Sequence, residues 1–251
     1  ANNTAMGFEA LDANTTGGAN TAVGSGALGA NTTASDNTAV GAGALQSNTT
    51  GIYNTAVGRM ALFDTTTSSS NTAVGYKALY ATGSTGYDNT AIGREALRDN
   101  SSGYRNVAIG VYAMKIATGA DLNCVIGYNA GVAMTSSTES VIIGYSAGSS
   151  ATTPGHNVYV GYSAGGSATT GGNNVMIGSM AGDHDTNTVG GYQNTYVGSR
   201  CNGNGASNND ECVFGYNITG KGSQTFNVGG TSGAYNAVSY THLTLPTMRT
   251  V

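Results

Sequence analysis

The pentapeptide Asn20-Thr21-Ala22-Val23-Gly24 returns at 37–41, 54–58 and 71–75, and with small changes at 89–93 and 106–110. Its closing glycine falls at Gly7, Gly24, Gly41, Gly58, Gly75, Gly93, Gly110, Gly127, Gly144, Gly161, Gly178, Gly198, Gly215 and Gly229. Most steps are 17 residues; those to Gly93, Gly198 and Gly229 are 18, 20 and 14. Three residues past the glycine stands an alanine (Ala10, Ala27, Ala44, Ala61 and onward to Ala181), followed by Leu or Met as far as Met114 and by Gly from Gly131 to Gly182. Polar tracts such as Asn31-Thr32-Thr33 and Asn48-Thr49-Thr50-Gly51 read as an outer turn. The unit is a strand, a short second strand and a turn. One such unit cannot bury its own apolar side, whereas a stack of them can. The fold class expected is all-β, a parallel β-solenoid or β-roll of about 17-residue coils. Fourteen coils at a strand spacing of ~4.8 Å give a rod about 65 Å long.

Side chains alternate across a strand. The residue before each glycine is always apolar (Val23, Val40, Val57, Ile92, Ile109, Ile126) and shares a face with Thr21, Thr38, Thr55 and Thr72, then Val107, Cys124 and Val141. That face is assigned to the interior. The residue between faces the other way and is apolar too: Ala22, Ala39, Ala56, Ala73, Ala91 and Ala108, then Val125, Ile142, Tyr159 and Met176. A strand apolar on both faces is normally buried on both. These ten residues are therefore expected to pack against identical chains, making self-association the partner interaction. The asparagines Asn20, Asn37, Asn54, Asn71, Asn89, Asn106 and Asn123 are expected to stack at a corner as an amide ladder. Tyr128, Tyr145 and Tyr162, each just past a repeat glycine, are expected to stack as well.

Little in the chain speaks for chemistry. Charged residues are 9% of the total and the net charge is −4, which leaves no basic case for nucleic acid. No apolar run reaches bilayer-spanning length. No histidine or acid recurs beside a serine or threonine as a nucleophile's partner would, and no phosphate loop or calcium nonapeptide is present. An enzyme, a cofactor and a resident metal are not expected. Asp183-His184-Asp185 is the one tight charged cluster and reads as a solvated loop. Cys124, Cys201 and Cys212 read as small hydrophobes, with a Cys201–Cys212 disulfide as the alternative in an oxidising setting.

Asn106-Val107-Ala108-Ile109-Gly110 followed by Ala113, and Ser140-Val141-Ile142-Ile143-Gly144 followed by Ala147, resemble the head repeat of YadA-like trimeric autotransporter adhesins. Similar repeats occur in phage tail fibres. The resemblance covers residues 1 to about 230. It implies a left-handed roll, three chains side by side, and an extracellular place on a bacterial surface or a virion tail. The repeat here is longer than that family's, which points to an enlarged turn. The expected function is a structural and adhesive segment of a trimeric fibre that attaches to a host receptor or matrix; the alternative is a tail-fibre shaft. An ice-binding solenoid is a third reading, resting on the regular Thr21, Thr38, Thr55, Thr72 and Thr90 column. Against it stand the valines that share that face and mark it as interior.

The repeat stops near Gly229. Val238-Ser239-Tyr240-Thr241-His242-Leu243-Thr244-Leu245-Pro246-Thr247 fits no phase of it and resembles a translated transposase-type sequencing adapter. The expected organisation is one solenoid over 1–237, a fragment of a longer protein, and a foreign tail over 238–251.

Overall fold

Asparagine, threonine, a small residue and a β-branched residue make a strand too short to stand alone, so its pairing must come from neighbouring coils. The computed structural model describes residues 2–81, 86–183, 190–205, 207–230 and 238–239. In it, strands such as Thr21–Val23, Thr38–Val40 and Thr55–Val57 pair in parallel and in register, Ala22 opposite Ala39 and Ala39 opposite Ala56. Among the described residues, fifteen strands form one sheet in strict chain order. The protein is an all-β parallel solenoid. The repeat glycines lie in one column, as the period predicts. From Gly7 to Gly215 each has φ in the left-handed half of the map, +134° at Gly41, and a Cβ on Gly41 would stand 2.6 Å from the carbonyl carbon and oxygen of Gly58. Stacked coils leave no room for a side chain there, which is why the position never varies.

Backbone bonding continues around the rest of the coil. On the wall after the glycine, the Leu28 N–H donates to the Ala44 carbonyl at 3.0 Å; at the polar turn, the Thr15 N–H donates to that of Thr32 at 2.9 Å. The Asn20 to Asn123 ladder forms, but not chiefly amide to amide. Asn54 Oδ1 accepts the backbone N–H of Asn71 at 3.0 Å, while its Nδ2 donates to the Ser68 carbonyl at 2.9 Å. Each amide thus ties a strand entry to the next coil and to its own coil's turn. The second asparagine column is not an outer turn. Asn31 and Asn48 are fully buried. Asn48 Nδ2 donates to the Gly51 carbonyl at 3.0 Å and to Asn31 Oδ1 at 3.3 Å, and its Oδ1 accepts the Gly51 N–H at 3.1 Å.

The core reverses the expected sidedness of the strand. Ala22, Ala39, Ala56, Ala73, Ala91 and Ala108 have no exposed surface, while Val40 and Val57 on the neighbouring column are 36% exposed. The reason is volume. Leu28, Leu45, Leu62 and Leu79 project from the second wall and are fully buried, so the narrow lumen has room only for a methyl group opposite. Further along the stack the sizes exchange. The strand position becomes Val125, Ile142, Tyr159 and Met176, and the leucine position becomes glycine. A Cβ on Gly165 would fall 2.7–2.9 Å from the Tyr159 ring, and one on Gly182 would fall 2.3 Å from Met176 Sδ. As far as Gly182 the pair is large on one wall and small on the other, so the two positions share one core volume.

Near the end of the ladder Glu211 takes the asparagine place and is fully buried. Its carboxylate accepts from the Tyr196 hydroxyl at 3.2 Å, Asn208 Nδ2 at 3.0 Å and the Gly222 N–H at 2.8 Å. A second, two-stranded sheet pairs Cys201–Asn202 with Ile218–Thr219 in parallel. Val238–Ser239 pairs antiparallel with Thr225 and Phe226, so it does not prolong the parallel ladder as a further coil. The rest of the tail segment, 240–251, lies outside the described residues.

Candidate functional site

The ten residues expected at a contact between chains, Ala22, Ala39, Ala56, Ala73, Ala91, Ala108, Val125, Ile142, Tyr159 and Met176, are 0–1% exposed within a single chain. They form its own core and present nothing to a partner. What the sheet does present is the other face. There the threonine and later valine column is mostly half-buried, and beside it runs one valine or isoleucine per coil, with Val40, Val57, Ile92 and Ile177 at 36–39% exposure. Parallel register holds the members of each column in line from coil to coil. The feature that could have revealed this is the reciprocal size of positions such as Tyr159 and Gly165, since only groups sharing one cavity need to compensate.

The wall that follows the glycine turn carries a different surface. Tyr128, Tyr145 and Tyr162 stack as the spacing predicts, with centroids 5.1 and 5.4 Å apart. Lower in the stack, cations lie over rings: Arg59 over Tyr76 at 5.8 Å, Lys77 over Tyr76 and Tyr80 at 5.5 and 5.0 Å, and Arg94 over Tyr112 at 4.6 Å. Beside them is an ion-pair cluster. Arg98 bonds Glu95 at 2.9 Å and Asp99 at 2.6 Å, and Lys115 bonds Glu95 at 3.0 Å. Burial alone would raise the Glu95 pKa, but Lys115 and Arg98 outweigh it and hold the carboxyl below its usual range. Asp99, ahead of Glu95, holds the Arg98 guanidinium firmly protonated.

The cysteines, His156 and the Asp183 segment are the other groups with side chains of possible chemical use. The three cysteines are all free thiols, with Cys201 buried and its pKa raised by that burial. His156 meets Glu139 at 3.2 Å on the surface. Of Asp183-His184-Asp185, the last two lie outside the described residues. Among the described residues no group of three or more His, Cys, Asp or Glu side chains is placed to hold a metal ion, and no helix is long and apolar enough to cross a membrane. No family model matches the chain, and no curated protein or solved structure is significantly similar to it.

Proposed function

We propose that this chain is a rigid segment of an extracellular fibre, assembled side by side with copies of itself and repeating weak surfaces for attachment to a host, a matrix or another solid. One observation carries the reading. The outer sheet face leaves an in-register aliphatic column open to water along the stack, and packing copies on that column removes apolar area from solvent. The repeat's resemblance to the heads of YadA-like trimeric adhesins supports three chains of left-handed coils, on a bacterial surface or as the shaft of a phage tail fibre. Repetition along such a rod turns low single-site affinity into avidity. Sedimentation equilibrium of the full chain tests the assembly: a trimer is expected, and a stable monomer overturns it.

A second reading is favoured by the same face. Thr21, Thr38, Thr55, Thr72 and Thr90 point outward beside the valines, at strand spacing. With the valines outside rather than in the core, they no longer argue against ice binding. Regular hydroxyls and methyls could order water against a lattice. Thermal hysteresis separates the two readings: a clear freezing-point gap supports ice binding, and its absence leaves the fibre.

A further inference from the structure

Of the nine lysines and arginines, six lie between Arg59 and Lys115. Five of those, Arg59, Lys77, Arg94, Arg98 and Lys115, sit on the post-glycine wall of four successive coils. Two of the five are spent on Glu95 and Asp99. Arg59, Lys77 and Arg94 form no ion pair among the described residues. Their charged heads lie 4.6–5.8 Å from the centroids of Tyr76, Tyr80 and Tyr112. A ring beneath a cation positions the charge without neutralising it. The result is a row of ring-held positive charges along the solenoid axis, one per coil, on a wall whose five cations outnumber its three acids, Asp64, Glu95 and Asp99. The row runs on into the stacked rings of Tyr128, Tyr145 and Tyr162, residues that are 42–52% exposed.

We infer that this strip binds an anionic polysaccharide lying along the axis, its carboxylates or sulfates on Arg59, Lys77 and Arg94 and its hydroxyls along the tyrosines. The inference rests on the attachment reading above and gives it a ligand. Coil spacing of ~4.8 Å is close to the advance of a pyranose chain per sugar, so one polymer can meet successive coils in phase. Single-stranded nucleic acid fits less well. Base stacking needs open ring faces, and here the faces are covered by cations or by neighbouring rings. A polyphosphate also needs dense positive charge, whereas this chain carries a net −4. Three isolated cations suit a polymer charged once every sugar or two. The strip lies on a different wall from the outer sheet face, so assembly through that face leaves it open.

The test uses the full chain on immobilised heparin, alginate, neutral dextran and oligothymidylate at rising salt. Binding to heparin or alginate but not to dextran is expected, weakening with salt as screened surface charges do; the preferred polymer assigns sulfate or carboxylate. The combined variant Arg59→Gln, Lys77→Gln and Arg94→Gln should bind at least about tenfold more weakly, a loss of the size charge complementarity supplies, with an unchanged circular-dichroism melt. Lys221→Gln, at the far end of the stack, should bind as the parent does. Equal binding by the triple variant, equal binding to dextran, or preference for oligothymidylate overturns the inference. If the triple variant fully retains adhesion to matrix-coated plates, the ligand is wrong and the fibre reading survives; if the parent adheres to nothing, both fall.

Discussion

Tyr159 occupies a core place that earlier coils give to alanine, and Gly165 faces it where they have leucine. This exchange can be tested directly. Gly165→Leu drives a side chain into the Tyr159 ring and should destabilise by about 1–3 kcal/mol through overpacking. Tyr159→Ala alone opens a cavity and should cost about 3–5 kcal/mol. The double variant restores the earlier coils' pairing and should recover much of the loss, with a coupling energy of about 0.5–3 kcal/mol in thermal unfolding. The Tyr159 hydroxyl has its own consequence. Asn174 is its polar neighbour, with Oδ1 accepting the Asn194 backbone N–H at 2.9 Å and one Nδ2 hydrogen on the Gly191 carbonyl at 2.8 Å, and it does not reach the hydroxyl in hydrogen-bonding geometry. The buried hydroxyl is left without a hydrogen-bond partner. Burial raises the pKa of Tyr159, and burial followed by the Glu211 charge raises that of Tyr196. The unfolded chain ionises its tyrosines first, so stability is complete below the ordinary tyrosine value of about 10 and declines as pH rises past it. Tyr159→Phe should be neutral or up to about 1 kcal/mol stabilising near neutrality, and should blunt the alkaline decline in urea titrations.

At the scale of the coil, the asparagine columns do what the short strands cannot. Three residues per strand give few ladder bonds, and each corner amide adds one acceptor and one donor in the dry interior. Asn54→Ala would take away the amide's bonds to the buried Asn71 N–H and to the Ser68 carbonyl, a loss of about 2–4 kcal/mol at the usual cost of broken buried hydrogen bonds. Asn48 would look replaceable if it sat in an outer turn. Because it is buried with three bonds, Asn48→Asp should remove a donor, bury a charge and cost about 2–3 kcal/mol. Native-state hydrogen exchange should show the loss of protection spreading to the coils on either side, since each coil is held mainly by its neighbours.

For the whole molecule, the distinction between inner and outer columns predicts opposite behaviour for adjacent residues. Val57→Lys combined with Ile109→Lys places charge on the outer sheet face. It should weaken self-association by about tenfold or more, the order expected when like charges meet in an interface, and leave the melting of the dissociated chain nearly unchanged. Ala56→Lys, one residue away, puts the charge in the core and should unfold its coil whatever the assembly state. Sedimentation and circular dichroism together separate the two. If both variants only dissociate the assembly, the strand faces have been assigned the wrong way round.

The repeat by itself determined the architecture: its period, the glycine column, the corner asparagines and the tyrosine stack are all legible because each depends on a residue meeting its own copy one coil away. Identical spacing in sequence becomes identical position in space, and a translation needs no knowledge of the interior. Only the tertiary structure decided which strand face is inside. Valine is the more apolar residue, so hydropathy points to it, but a 17-residue coil encloses a lumen already filled by leucine from the opposite wall. There, available volume outweighs hydrophobicity. Ala22 and its equivalents go in because they fit, and Val23 and its equivalents remain outside. The cationic strip lay within the period too, since Arg59, Tyr76 and Arg94 each follow a repeat glycine, but that these cations rest over rings rather than on acids was decided only by where the side chains pack.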